Sequence, residues 1–312
     1  MMRAVAGAGA ALLAAAMTSS FASAQSQPAP AQRPPVFRAG ADVVSVDVSV
    51  RHDRRPVTGL TAADFELLDN GVAQEITEVA YEKLPIDVTL LLDVSASVTG
   101  DVLDELRRAL RQVRADLAPG DRLRLLTFNM RVTRLVDFSQ PAASIDQALA
   151  SLQGAGSSAV FDGLAVALTA ADQPGRRRFI VLFSDGQDSS SITDASTLLE
   201  VARRSSSTVA VVLASSTDAR PASLLRTTLT PPATTVAMLS EHIARETGGI
   251  VTAVKPGENL SSRFRRVLQD FRSSYVLYFS PRDVERAGAH TLDVRVKRPG
   301  VEVRARRGYV WR

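Results

Sequence analysis

Asp93, Ser95 and Ser97 stand at alternate positions directly after an apolar run, Ile86–Leu92. A carboxylate and two hydroxyls at that spacing are hard oxygen donors, and a tight group of such donors suits a divalent cation such as Mg²⁺. The same residues admit a plainer role: Ser95 or Ser97 could cap a helix that begins near Gly100-Asp101 and runs to about Leu117. Two further loops bear on the choice. Gly154-Ala155-Gly156-Ser157-Ser158-Ala159 precedes a helix, and Ser184-Asp185-Gly186-Gln187-Asp188 follows a second apolar strand, Arg178–Phe183. If the strands lie side by side, Asp93, Ser95, Ser97, Ser158 and Asp185 converge. Two unpaired carboxylates so close would repel and raise one pKa, a penalty that a bound cation removes.

Strands and helices alternate around these loops. Ile86–Leu92, Phe179–Phe183 and Val209–Leu213 are continuous apolar runs, the pattern of strands buried on both faces. Val102, Leu103, Leu106, Leu110, Val113 and Leu117 recur at helical spacing, and helices are also expected over 141–152, 160–171, 194–204, 236–247 and 259–272. Arg122–Phe128 and Arg131–Phe138 are separated by two residues only, so they form an antiparallel pair. The expected fold is α/β: a doubly wound, Rossmann-like, mostly parallel sheet with one antiparallel strand, in which ligands bind at the carboxyl edge of the strands.

The ends of the chain read differently. Val44, Val46, Val48 and Val50 alternate with polar residues, and Asn70-Gly71 between Phe65–Asp69 and Val72–Ile76 is a strong hairpin signal, because both turn positions need positive φ. Alternation returns at Tyr275, Leu277 and Phe279, then at Leu292, Val294 and Val296, and at Val301, Val303 and Ala305. Neither terminal segment has enough apolar face to stand alone. The expectation is that residues 36–83 and 274–312 pack together as one small β module beside an α/β domain over residues 84–273.

Met1-Met2-Arg3, an apolar stretch to Met17 and the small-x-small pattern Ala22-Ser23-Ala24 read as a secretory signal peptide over residues 1–24. The alternative is an uncleaved anchor. Residues 25–35, rich in Pro, Gln and Ala, read as a disordered linker. There is no cysteine, which excludes disulfides and a lipid attached at cysteine. With 37 Lys+Arg against 33 Asp+Glu the net charge is +4, or +3 once Arg3 is removed, too mild to imply nucleic acid. The basic residues are nearly all arginine, a composition read as coding bias, and Arg176-Arg177-Arg178 reads as a solvated turn. Residues 215–235 interrupt the α/β pattern as a mobile insertion or as a rim for a partner.

The motif resembles that of von Willebrand factor type A domains and their metal-ion-dependent adhesion site, which joins Asp-x-Ser-x-Ser to a Thr from a second loop and an Asp from a third. Asp93, Ser95 and Ser97 match the first part, Ser158 stands at the Thr position, and Asp185 matches the Asp in Phe183-Ser184-Asp185-Gly186. The flanks, Pro56–Phe65 and Val301–Tyr309, resemble a secreted bacterial subgroup of the family, so the likeness covers nearly the whole mature chain. Two departures stand out. Ser158 keeps the hydroxyl but lacks the methyl that restricts a Thr rotamer, and Ala96 stands where these sites often have Gly.

The resemblance implies that Ser95 and Ser97 bind the metal directly, and that Ser158, Asp93 and Asp185 bind it directly or through water. The metal is Mg²⁺, with Mn²⁺ and Ca²⁺ as alternatives. One coordination position is left for an Asp or Glu of a protein partner, and Asp188 and Arg220 are candidate rim residues. The implied protein is exported to the periplasm or beyond, does not insert stably into a membrane after cleavage, and is not an enzyme. A metal-free scaffold and a Mg²⁺-dependent hydrolase are the rivals. Against the hydrolase, the chain has no phosphate-binding Gly-x-x-x-x-Gly-Lys and no Gly-x-Ser-x-Gly, and its histidines, His52, His242 and His290, lie away from the motif.

Overall fold

Every residue of Ile86–Asp93 is buried, as a strand covered by helices on both faces requires. The computed structural model describes residues 43–82, 84–140, 143–170, 173, 175–214, 236–254 and 258–311. The expected signal peptide and linker, and the 215–235 segment with Arg220, lie outside the described residues. The elements run β1 (Val44–His52), β2 (Arg55–Pro56), a 3₁₀ turn (Ala62–Asp64), β3 (Phe65–Asp69), β4 (Val72–Gln74) and β5 (Ile76–Tyr81). Next come β6 (Ile86–Asp93), α1 (Gly100–Ala115), β7 (Arg122–Phe128), β8 (Val132–Val136), α2 (Ala143–Ser151) and α3 (Val160–Leu168). They are followed by β9 (Arg177–Ser184), α4 (Ala195–Arg204), β10 (Thr208–Ala214), α5 (Val236–Thr247), β11 (Ile250–Val254) and α6 (Leu260–Arg272). The chain closes with β12 (Tyr275–Phe279), β13 (Gly288–Val296), β14 (Glu302–Ala305) and β15 (Gly308–Trp311).

The central sheet has the order β11-β10-β9-β6-β7-β8. Its pairs are parallel except β7–β8. Strand alternation divides its apolar side chains between two cores. Leu90 and Leu92 meet Leu106 of α1, Leu149 of α2 and Phe264 of α6, while Leu91 meets Leu164 of α3, Leu198 of α4 and Ile243 of α5. Helix entry follows local chemistry: Asp194 Oδ1 accepts from the Thr197 N–H at 2.8 Å, and Asn259 Oδ1 accepts from the Ser262 N–H at 2.9 Å, each the bond of an N-cap.

The terminal strands form two further sheets, β14-β1-β12-β5 with β2 attached to β1, and β15-β13-β3-β4. They share one core, with Val46, Val48 and Leu277 from the first sheet and Phe65, Leu67 and Leu292 from the second. Asn70 and Gly71 both have positive φ, 47° and 83°, as the hairpin turn between β3 and β4 demands. The expected strand Val72–Ile76 breaks at Glu75: β4 stays with β3 while β5 crosses to pair with β12. The pairs β1–β12, β1–β14 and β3–β13 join the two ends of the chain. Removing residues 280–312 is therefore expected to strip amide protection from β1 and β3. Hydrogen exchange of the truncated chain checks this, and undiminished protection there contradicts it.

The β module sits at the edge where the central strands begin. Arg177, at the start of β9, bonds Asp47 of β1 at 2.7 Å, and Arg51 of β1 pairs with Asp270 of α6 at 2.7 Å. Gly248 lies so close to Ala305 and Arg306 that a Cβ would fall 2.7 Å from the Arg306 nitrogen. The Arg176–Arg178 run is thus not a solvated turn. Arg177 is buried, and Arg176 pairs with the buried Asp87. Asp93 and Ser184 end their strands at the opposite edge.

Candidate metal centre

Strand register delivers the acid to this edge. Leu92 pairs with Phe183, so Asp93 and Ser184 end adjacent strands side by side. Asp93 is 0% exposed. Its Oδ1 accepts from the Ser95 N–H at 2.9 Å, and its Oδ2 accepts from the hydroxyls of Ser158 and Ser184, each at 2.9 Å. Burial pushes the Asp93 carboxyl above the usual carboxylate range, with the bonds from Ser95, Ser184 and Ser158 pulling against it. Among the described residues, no Arg, Lys or His pairs with this carboxylate.

Ser95 Oγ and Ser97 Oγ lie 3.0 Å apart; Ser95 is buried and Ser97 exposed. They do not cap α1. Its N-cap is Thr99, which makes no side-chain cap bond. Two backbone bonds clasp the Asp93–Ser97 loop to the second loop: the Ala96 N–H donates to Gly156 O at 2.9 Å, and the Ala155 N–H to Val94 O at 2.8 Å. Gly154 makes this approach feasible, since a Cβ there would fall 2.1 Å from Val98 O and 2.9 Å from Ser95 O. Ser158 is fixed from the third loop, where the N–H groups of Ser189 and Ser190 donate to its carbonyl at 2.8 and 3.0 Å.

Asp185 is half-buried on that third loop, and its Oδ1 accepts from the Gln187 N–H at 3.1 Å. It makes no hydrogen bond to Asp93, and the Asp93 shift has burial as its first cause rather than the repulsion expected between the two acids. Asp188 serves the fold through one carboxylate oxygen. Its Oδ1 accepts from the Val160 N–H at 2.7 Å and from the Ser191 hydroxyl at 2.6 Å, so it caps α3 from a distant part of the chain. Asp188→Ala is expected to cost about 1 kcal/mol, the usual loss for such a cap, readable as a lower urea midpoint. The sequence reading missed Ser184 as a site residue. Its signal was its place, the last residue of a buried strand and directly before Asp185.

The residues fit a hard cation. Among the described residues the buried Asp93 carboxylate has no charged partner, and the hydroxyls of Ser95, Ser97 and Ser158 gather at the same edge as oxygen donors. Among the described residues no three of His, Cys, Asp and Glu come together, so this is a hydroxyl-rich set around one buried acid. His290 is far from it in the fold, bonded through Nδ1 to Asp69 at 2.8 Å inside the β module.

The family model for the von Willebrand factor type A (VWA) domain matches residues 87–245. The chain belongs to this family. The VWA match takes in β6 from Asp87 onward, all three loops of the site and the helices into α5, and leaves the β module outside it. No curated protein matches the sequence. Among solved structures, a von Willebrand factor type A protein from Catenulispora acidiphila is similar at 12% identity over 88% of this chain and 75% of its own, with a TM-score of 0.48. An aerotolerance-related membrane protein from Bacteroides fragilis NCTC 9343 is similar at 18% identity over 60% of this chain and 98% of its own, with a TM-score of 0.45. Proximal thread matrix protein 1 from the mussel byssus, with a zinc-occupied MIDAS motif, is similar at 14% identity over 64% of this chain and 48% of its own, with a TM-score of 0.48. Among the described residues of this VWA protein, no helix is long and apolar enough to cross a membrane.

Proposed function

We propose that this VWA protein is an exported, metal-dependent protein-binding module of the adhesion type. The observation that carries the proposal is the buried Asp93 carboxylate, bonded by hydroxyls and without a charged partner among the described residues, at the carboxyl edge of the sheet. Asp93, Ser95 and Ser97, with Ser158 and Asp185, are the residues that would hold the cation, Mg²⁺ first and Mn²⁺ or Ca²⁺ as alternatives. A bound cation supplies a position that an Asp or Glu of the partner fills. The chain's own part is to keep the donors in place: Ser184 and Ser158 orient Asp93, Gly154 and Gly156 bring the first two loops together, and Ser189 and Ser190 hold Ser158. The export part of the proposal rests on residues 1–24 as signal peptide, followed by the linker 25–35. The proposed architecture is a doubly wound VWA domain over 84–273, carried on a β module from 36–83 and 274–312.

A second reading, a metal-free scaffold, is favoured by the hydrogen bonds that Asp93 already accepts within the protein. Mn²⁺ titration of metal-stripped protein, followed by water proton relaxation, separates the two. The proposal expects enhanced relaxation that added acetate reduces and that Asp93→Ala abolishes. An unchanged signal favours the scaffold. Phosphate release from generic phosphoesters in Mg²⁺ would instead support a hydrolase, for which none of the three histidines stands at the site.

A further inference from the structure

A second charged feature lies in an open groove of about 510 Å³ between the β1–β2 hairpin and α6. Five arginines line it, Arg51, Arg54 and Arg55 from the hairpin and Arg265 and Arg266 from the helix, against one acid, Asp270. Asp270 is taken by Arg51 at 2.7 Å, and Arg265 is taken by Asp116 at 3.0 Å. Arg54, Arg55 and Arg266 are exposed, and none pairs with an acid among the described residues. Other arginines pair closely with carboxylates, as in Arg177–Asp47 and Arg272–Asp121. Uncompensated like charges around a concavity repel one another and focus a field that draws in anions.

The hairpin is held in a costly shape that presents these charges. Asp53 and Arg54 both have positive φ, 48° and 65°, where a residue with a Cβ is disfavoured. The buried Arg51 fixes the turn by donating from Nη1 to Arg54 O at 2.7 Å, while its own Nε is buried without a hydrogen-bond partner. Arg304 nearby pairs with Glu302 at 3.5 Å; burial pushes its guanidinium below the usual arginine range, with the charge of Arg51 acting in the same direction and those of Glu302 and Asp270 against it.

We propose that this groove is a docking site for an acidic peptide segment of a partner protein, one rich in Asp or Glu. Guanidinium forks match carboxylates in paired hydrogen bonds. The volume exceeds that of a single small anion and suits a few residues of chain. Ser262 and Gln269 on the groove wall can bond a peptide backbone. A membrane surface is the poorer fit, since no large apolar side chain lines the groove to anchor it in lipid. The groove lies toward the β module, away from the carboxyl edge that carries Asp93, so its occupant does not compete for the proposed metal.

The test uses the mature chain in EDTA, which takes the metal centre out of the experiment, and a fluorescein-labelled hexaglutamate peptide followed by anisotropy. Saturable, salt-sensitive binding is expected, with none for hexaglutamine. Arg54→Glu with Arg266→Glu is expected to weaken it about tenfold or more, because each reversal exchanges an attraction for a repulsion. Arg131→Glu with Arg134→Glu, the same charge change at the exposed β8 edge, is expected to leave it intact. Equal loss in both variants, no saturable binding, or binding only to phosphatidylglycerol vesicles would overturn the proposal. All four positions are exposed, and matching circular dichroism spectra confirm that the variants fold.

Discussion

Arg177→Ala is expected to destabilise the chain by about 3–5 kcal/mol, the cost of stripping one partner from a buried ion pair. The Arg177 side chain is 4% exposed. It bonds Asp47 at 2.7 Å, Phe271 O at 2.9 Å and Ser274 Oγ at 2.5 Å, and its guanidinium lies 3.9 Å from the centre of the Phe271 ring. One side chain thus ties β9 of the VWA domain to β1 of the β module and to the end of α6. Alanine leaves Asp47 without its cation and the Phe271 carbonyl without this donor, in a place that water reaches poorly. Urea unfolding reads the loss as a lower midpoint, and by thermal melting it corresponds to a fall in Tm of roughly 10 °C. A loss below about 1 kcal/mol, the scale of a surface pair, would mean that the two parts are not coupled through this residue.

Gly154→Ala is expected to disable the candidate metal centre without touching any donor atom. The added Cβ would fall 2.1 Å from Val98 O, a backbone atom that can yield only if the loop carrying Ser95 and Ser97 moves. Overpacking of this kind typically costs about 1–3 kcal/mol, and the displacement would separate the bonds that join the first two loops. The expected result is a modest loss of stability with complete loss of any metal-induced stabilisation. Ser157→Ala, in the same loop and exposed, serves as the comparison and should retain the metal response. A Gly154→Ala protein that responds to metal like the parent would show that the close packing of these loops is not what holds the site.

The contrast between Asp93 and Asp188 shows what the sequence could reveal. Asp93, Ser95 and Ser97 follow a buried strand at fixed spacing, so their placement at the sheet edge is a local consequence of strand geometry. The alternation of strands and helices was legible for the same reason. Asp188 has no such local signal. It caps α3 across 28 positions of sequence, a contact created only when β9 docks beside β6. Ser184 was hidden in the same way, its role arising from the β6–β9 register. The alternation of the terminal strands was visible, but the partner of each was not: β1 and β12 pair across more than 200 positions, and the break at Glu75 that sends β5 to the other sheet is a tertiary choice. Arg177 was misread because a run of three arginines resembles a solvated turn until the β module supplies Asp47.

The measurement that tests the central claim most directly is thermal unfolding of residues 25–312 in EDTA, Mg²⁺, Mn²⁺ and Ca²⁺, beside Asp93→Ala. Ligand linkage predicts stabilisation of about 2.7 kcal/mol at a hundredfold excess of metal over its dissociation constant. The account predicts a rise in Tm with Mg²⁺ or Mn²⁺ that EDTA reverses and that Asp93→Ala lacks. A parent protein whose Tm is the same in EDTA and in every metal would contradict it and leave the chain a metal-free VWA scaffold.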